Sequence, residues 1–280
     1  MRGSVAAELF LLRKRTSTWI LLGIWTALAA FFSYLLPYVE YRNGDLGGGR
    51  GEVPLEELLP DHLAGQLSGG FPFFGGVFAL MLGVLALGSE YGWGTLRTVL
   101  VQRPGRLQVF AAKLIALGAG LVPFVLTVFA VGTVSSYAIA RSEGIEVIWP
   151  SGWDMVRALA ASWLILAVWA ALGIALGVLS RWTALAIGVG ILYALVIEGL
   201  LSAFADQVSL LEPLVEFFLR ANAYSLVEGL GASNTSAATN GPGAFSGPYV
   251  GGEQALLVLT AYLAGFLVLS GLLLRRRVVT

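Results

Sequence analysis

The ionisable side chain set deepest in an apolar stretch is Glu198, about six residues inside the end of the hydrophobic run 183–204. A carboxylate in hydrocarbon costs about 3 kcal/mol or more, so at that depth it needs a partner or a task. One hypothesis is functional: Glu198 binds a cationic group of a substrate, relays a proton or closes an outer gate. The other is structural: its carboxyl reaches the outer interface or hydrogen-bonds Ser202 or Tyr193. The sequence favours the structural hypothesis and leaves both open.

A second group of residues lies in the polar connection 89–113, which is about two dozen residues long where a simple turn needs only a few. Within it, Leu96, Val99, Leu100 and Arg103 recur at i, i+3, i+4 and i+7, which predicts a short amphipathic helix with a basic flank. Pro104 and the glycine after it would end that helix. Such a helix can contact a soluble partner, or it can lie on lipid head groups without one.

Few other side chains are suited to catalysis or metal binding. The absence of cysteine excludes disulfides, thiolate metal sites and cysteine nucleophiles, and the single histidine, His62, excludes a histidine metal cluster and argues against an intramembrane hydrolase. Neither lysine, Lys14 or Lys113, follows the glycine-rich loop that a nucleotide-binding P-loop requires. We therefore expect no catalytic residue, metal or cofactor in this chain, and its zero net charge gives no support for nucleic-acid binding.

The composition indicates the environment of these residues. The chain is 57% hydrophobic and 12% charged, with a mean hydropathy of +0.81, whereas a soluble domain has roughly 25% charged residues. Its apolar residues fall in blocks long enough to cross a bilayer, which takes about 20 residues. The sequence therefore predicts an all-α integral membrane protein, one domain over 1–280, with six spans: 19–36, 71–88, 114–140, 158–179, 183–204 and 254–274.

The distribution of basic residues predicts the orientation. With the amino terminus inside, twelve of the 17 lysines and arginines fall on the cytoplasmic side: Arg2, Arg13, Lys14, Arg15, Arg97, Arg103, Arg106, Lys113, Arg181, Arg275, Arg276 and Arg277. Basic residues favour the cytoplasmic side of a membrane. Both termini are therefore predicted to be cytoplasmic. The first span follows basic residues as a signal peptide would, but it is too long and lacks a cleavage site, so we expect it to be retained.

Two segments outside the spans have helical patterns. Residues 1–16 combine an apolar stripe with a basic cluster, which is typical of a helix on the cytoplasmic interface; an unstructured basic leader is the alternative. The predicted outer loop 205–253 alternates acidic and apolar residues in its first half. This favours an amphipathic or re-entrant helix, followed by a Gly/Ser/Asn-rich stretch.

Two sets of residues within the spans allow competing interpretations. Gly173 and Gly177 have the spacing that lets helices pack closely, and a bend that moves during transport is the alternative. Phe71, Phe74 and Phe78 begin the second span and could line an apolar path or gate, but ordinary packing is favoured for such a cluster.

The connection 89–113 also resembles a known family. Glu90, Gly94-Thr95-Leu96, Pro104, Arg106 and Lys113 resemble the E-x-x-x-G-T-L…P…R…K signature in the first cytoplasmic loop of ABC-2 type transporter permeases. The resemblance extends over the whole chain, through the amino-terminal helix, the six spans, the long first and third outer loops and the basic carboxyl end.

The resemblance implies a permease that binds two copies of a cytoplasmic P-loop ATPase and pairs with a second permease chain, either an identical or a related one. ATP and magnesium would be bound by the ATPase, and its closure would drive alternating access and export of a hydrophobic or amphipathic substrate. We expect a multi-pass protein of a cell membrane, as in a bacterial plasma membrane. The residues implied in ATPase coupling are Glu90, Gly94, Thr95, Leu96, Arg97, Val99, Leu100, Arg103, Pro104 and Arg106.

An ion-coupled secondary transporter or channel that uses Glu198 is the alternative function. Such proteins carry several buried charges and polar half-helices near the midplane. Glu198 alone is thin support for that class.

Overall fold

The computed structural model describes residues 2–43, 55–92, 106–205, 212–230 and 250–276. In these ranges all the regular structure is helical, and six helices are long and apolar enough to cross a membrane. The predicted fold class, an all-α membrane protein with six spans, is therefore confirmed. We number the membrane helices as span 1 to span 6: Thr16–Asn43, Pro60–Leu87, Leu107–Ser142, Gly152–Ser180, Thr183–Leu201 and Gly252–Arg275.

The spans are assembled from regular helices and three π-helical turns. In chain order the α-helices are α1 (Arg2–Lys14), α2 (Thr16–Ala30), α3 (Leu36–Asn43), α4 (Leu63–Ser68), α5 (Gly76–Gly92), α6 (Arg106–Ser142), α7 (Gly152–Ser180), α8 (Thr183–Leu192), α9 (Glu198–Ala205), α10 (Glu212–Val215), α11 (Leu219–Glu228) and α12 (Gly252–Arg276). The π turns are Phe31–Leu35, Phe71–Gly75 and Tyr193–Ile197, in spans 1, 2 and 5. Short 3₁₀ turns lie at Leu55–Leu58 and Pro60–His62.

Most helices extend beyond the hydrophobic runs in the sequence. Span 3 begins seven residues before the predicted 114–140, and span 2 begins at Pro60 rather than at residue 71. Hydropathy identifies only the part of a helix that lies in the hydrocarbon region. Backbone hydrogen bonds continue the same helix into the polar interface. As a result the connection predicted at 89–113 narrows to 93–105, because α5 continues to Gly92 and α6 begins at Arg106.

Span 4 forms the centre of the bundle, with span 2 alongside it. Within an apolar 18-residue window of each span, 78% of the residues of span 4 and 61% of those of span 2 are buried, against 22% for spans 1 and 5 and 11% for span 6. The two inner helices touch backbone to backbone: a Cβ added at Gly173 would overlap the carbonyl oxygen of Leu80, and one added at Gly83 would overlap that of Ala170. Gly177 is also buried on span 4.

The outer spans show the reverse pattern, with large apolar side chains directed away from the bundle. Exposed examples are Ile20 and Ile24 on span 1, Leu192 and Leu200 on span 5, and Leu257 on span 6. A continuous apolar exterior of this kind is stable only against lipid or another apolar helix.

The segment between spans 5 and 6 returns into the bundle. Helix α11 packs against span 6, span 4 and the π turn of span 2, and nearly all of its residues are buried. Spans 5 and 6 meet this segment at the same end of the bundle, and α11 is buried among the helices there. The amphipathic or re-entrant position that the sequence favours for this segment stays a prediction.

Candidate functional site

The residues implied in ATPase coupling lie mostly outside the described part of the chain. Gly94, Thr95, Leu96, Arg97, Val99, Leu100, Arg103 and Pro104 belong to 93–105, which the structure does not describe. Glu90 lies in the last turn of α5 and Arg106 is the first residue of α6. These two residues therefore end the helices on either side of the connection.

Helix α1 is tied to both of the helices that lead into this connection. Lys113 Nζ on α6 donates a hydrogen bond to Glu8 Oε1 on α1 at 2.8 Å, and Lys113 is 4% exposed. Arg15, which follows α1, donates to the carbonyl oxygen of Leu85 on α5 at 2.8 Å. A buried ion pair breaks at high cost because it leaves one charge without compensation, so these contacts fix α1 firmly against the base of the connection.

Helix α1 also carries exposed apolar side chains. Leu9, Phe10 and Leu11 are 39%, 60% and 45% exposed. The indole nitrogen of Trp19 donates to the carbonyl oxygen of Arg13 at 2.8 Å, joining the end of α1 to span 1. The structure thus has a helix at Arg2–Lys14, and its position on the cytoplasmic interface stays a prediction.

At the other end of the bundle, Glu198 ties span 5 to the buried helix α11. Its carboxylate is fully buried and accepts hydrogen bonds from the backbone N–H groups of Leu219 at 2.9 Å and Arg220 at 3.0 Å. It also accepts a hydrogen bond from the hydroxyl of Tyr193. Phe218 precedes α11 and supplies no side-chain cap, so a carboxylate from another helix satisfies the free N–H groups of its first turn.

Arg220 is the third member of this cluster. We call Glu198, Tyr193 and Arg220 the Glu198–Arg220 cluster. Arg220 is 2% exposed and donates through Nη1 to the carbonyl oxygen of Ala194 at 3.1 Å. Its guanidinium lies over the rings of Phe73 and Tyr224, at 5.5 and 6.0 Å from their centroids. Ala194 and Phe73 belong to the π turns of spans 5 and 2, so one arginine from α11 contacts both irregular turns.

The geometry of the cluster favours the structural hypothesis for Glu198. Three donors from the protein already occupy its carboxylate, and one of them, Tyr193, is a partner that this hypothesis names. The side chain of Ser202, the other named partner, lies outside the described residues. Arg220 lies outside the six hydrophobic runs, so hydropathy does not mark it as a buried charge. It is, however, the single basic residue between 206 and 253 in the sequence. That feature identifies it as the natural counter-charge of a buried Glu198.

The phenylalanines at the start of span 2 lie in the packed core. Phe71 is fully buried and meets Trp25 edge to face, with ring centroids 5.2 Å apart, while Phe74 stacks on Phe32 at 5.6 Å. Phe78 lies 5.9 Å from Trp25. These rings join spans 1 and 2, which favours packing over an open apolar path.

An open cavity lies between spans 4 and 6 and the end of α11. Its volume is about 680 Å³ and its lining is mainly apolar: Ala160, Ala161, Trp163, Leu164, Leu226, Leu230 and Leu256, with Arg157 and Glu253 at the ends of the two spans. In the part of the chain that the structure describes, no group of three or more histidine, aspartate or glutamate residues could hold a metal ion.

Comparison with known protein families identifies this arrangement. The family described as "ABC-2 family transporter protein" matches residues 12–278, from the last turns of α1 to beyond the end of span 6. The chain belongs to this ABC-2 transporter family. The predicted family is thus confirmed by a match that covers nearly the whole chain. No curated protein matches the sequence significantly.

Membership gives the ABC-2 chain its general function. It is a multi-pass membrane component of a transporter, a permease, and the family is not catalytic by itself. In the described parts of the permease, buried charged side chains form two ties, one at each end of the bundle.

Proposed function

We propose that this permease is the membrane subunit of an ATP-driven exporter of hydrophobic or amphipathic molecules. It pairs with a second permease chain and binds two copies of a cytoplasmic P-loop ATPase. ATP and magnesium bind to the ATPase, whose closure moves the connection 93–105 and reorients the spans. The family match supports the transport role, and the sequence of 1–280 has no P-loop, which supports an ATPase on a partner chain.

The observation that carries the proposal is the fixation of α1 against both flanks of the connection. The Glu8–Lys113 ion pair joins α1 to span 3, and the Arg15 contact with Leu85 joins the same region to span 2. Helix α1 and Arg15 connect the ends of spans 2 and 3 that flank residues 93–105. A force applied to that connection would therefore move the two span ends together rather than separately. A contact that transmits motion needs this rigidity, because packed elements move as units.

Export of apolar or amphipathic molecules follows from the character of the bundle. The described spans carry few buried charges: Lys113 is paired at one end, and Glu198 and Arg220 are engaged at the other. An interior without a line of free polar groups offers no path for a small hydrophilic ion. This distribution also disfavours the ion-coupled alternative based on Glu198.

The first prediction tests the ATPase contact. Replacing Leu96 and Leu100 together with Asp should reduce the amount of ATPase that co-purifies with the tagged permease by about tenfold or more, because apolar anchors dominate a helix-in-groove contact. The measurement is the ratio of ATPase to permease after affinity purification from a strain that expresses both.

The matched control carries Asp at Ile148 and Leu214, which are 61% and 55% exposed near the opposite end of the bundle. This variant should retain the wild-type ratio. Equal loss of ATPase from both double variants, or retention in both, would contradict a docking contact on residues 96–100.

A further inference from the structure

The cavity between spans 4 and 6 has a composition that suits an amphipathic occupant. Its volume of about 680 Å³ lies in the usual range of small-molecule sites, roughly 300–1,000 Å³. Its walls are leucine, alanine and the ring of Trp163, while its polar lining consists of one cation, Arg157, and one anion, Glu253. An apolar hollow with both charges at its rim matches a ligand with an apolar chain and a zwitterionic head.

The cavity extends from the level of the lipid head groups into the acyl-chain region of one leaflet. Trp153 in the first turn of span 4 is 69% exposed, and exposed tryptophans mark the level of lipid head groups. Arg157 lies one turn below it on the same face, and Leu164 lies seven residues further along span 4, about 10 Å deeper at the helical rise. Glu253 is in the first turn of span 6, so the two charges lie near the head groups and the apolar walls lie near the acyl chains.

Arg157 is free to reorient toward a ligand. Its contact with Asp154 is long, with Nη1 3.9 Å from Oδ1, and both side chains are about half exposed. An ion pair of this kind contributes little to stability. A phosphate would give the guanidinium shorter, charge-assisted hydrogen bonds than this carboxylate does.

We propose that the cavity binds one zwitterionic phospholipid, with an acyl chain between spans 4 and 6, the phosphate at Arg157 and the amine at Glu253. The site is built from the flank of a single chain and does not depend on the ATPase contact proposed above. The 19 residues 231–249, which follow the lining residue Leu230 in the sequence, contain only Phe245 and Tyr249 as large apolar residues. Their composition is poorly matched to the leucine-lined walls, which favours lipid as the occupant.

The test is native mass spectrometry of the full-length permease with three lipids: phosphatidylethanolamine, phosphatidylglycerol and diacylglycerol. The wild type should retain one phosphatidylethanolamine, and diacylglycerol about tenfold less, since it lacks the charge-assisted contact to Arg157. Arg157→Ala should reduce phosphatidylethanolamine retention by about tenfold. Glu253→Gln should weaken phosphatidylethanolamine but leave phosphatidylglycerol unchanged.

Two matched controls separate the site from the general lipid shell. Ala160→Trp fills the cavity and should abolish the retained lipid, whereas Ala27→Trp, on an exposed face of span 1, should not. Arg141→Ala removes an exposed arginine at the end of span 3 and should leave retention intact. Thermal unfolding of each variant verifies that it remains folded.

Three results would overturn the proposal. One is equal retention in the Ala160→Trp and Ala27→Trp variants. Another is a preference for phosphatidylglycerol that Glu253→Gln does not change. The third is a wild type without bound lipid that gains one when Phe245 and Tyr249 are replaced by Ser, because the chain itself would then occupy the cavity.

Discussion

At the scale of single residues, the Glu198–Arg220 cluster explains how a membrane helix holds a buried carboxylate. Glu198 receives two backbone N–H groups of α11 and the hydroxyl of Tyr193, and Arg220 reaches back to the carbonyl oxygen of Ala194. Each charge therefore replaces its lost hydration by fixed dipoles and by the opposite charge. The cluster fastens α11 to span 5, and its role is positional rather than catalytic.

The second prediction concerns this cluster. Glu198→Gln should lower the free energy of unfolding by about 3 kcal/mol, because its amide presents N–H donors to other donors and leaves Arg220 without a counter-charge. Arg220→Met should cost a similar amount. Thermal or denaturant unfolding of the purified permease measures both, and transport per folded molecule should persist in Glu198→Gln.

The double variant Glu198→Gln/Arg220→Met distinguishes a coupled pair from two independent residues. Its loss should be smaller than the sum of the single losses by about 1 kcal/mol or more, since neither charge is then left alone. Strict additivity would refute the pairing. Loss of transport in folded Glu198→Gln would restore the substrate or gating role for this carboxylate.

At the scale of elements, the contact between spans 2 and 4 sets the shape of the core. Glycines at 83 and 173 let the two backbones meet, with Leu80 and Ala170 lying opposite them. Association of helices in lipid depends on close packing more than on the hydrophobic effect. This contact is therefore the main source of cohesion in the bundle, and the outer spans pack around it.

The third prediction uses these glycines. Gly83→Ala and Gly173→Ala should each destabilise the permease by about 3 kcal/mol, because the added methyl group meets a backbone carbonyl that cannot move aside as a side chain can. Gly265→Ala on span 6 is the matched control: a Cβ there has no neighbour within 4 Å, and the helix should gain about 1 kcal/mol. Melting temperatures in one detergent provide the comparison. A loss at Gly265 as large as that at Gly173 would show that the loss at Gly173 does not come from the close contact between spans 2 and 4.

At the scale of the whole molecule, polar ties lie at the two ends and an apolar bundle lies between them. The Glu8–Lys113 pair braces the end that carries the chain termini, and the Glu198–Arg220 cluster braces the other. Rigid ends joined by packed helices allow motion at one end to reach the other as a displacement of whole helices. This arrangement fits the transport role that the family assigns to the chain.

The fourth prediction tests which end faces the cytoplasm. The chain has no cysteine, so Val99→Cys and Ile148→Cys each give a protein with a single reactive thiol. A membrane-impermeant maleimide should label Ile148→Cys in intact cells and Val99→Cys only after lysis, because basic residues cluster beside residue 99. Labelling of Val99→Cys from outside would reverse the topology and remove the basis for ATPase coupling.

Part of the candidate site was predictable from particular residues. Glu198 is conspicuous because hydropathy isolates a charge inside an apolar run, and Tyr193 is within reach along the same helix. The sequence predicts an outer loop for the segment that contains Arg220. Hydropathy evaluates each segment separately, so it cannot show that a charge is neutralised by a residue far away in the chain. The same limit hid the pairing of Lys113 with Glu8, which are 105 positions apart.

The sequence by itself determined the membrane class, the number of spans and the family, because each depends on local composition or on a short motif. Tertiary structure alone decided which span is central, where α11 packs and which charges pair. Lipid solvates all six apolar helices equally well, so it does not determine their order in the bundle. That order depends on shape, on glycines that contact a neighbouring backbone and on pairing of buried charges. Those contacts join residues far apart in the chain, and they exist only once the helices have packed.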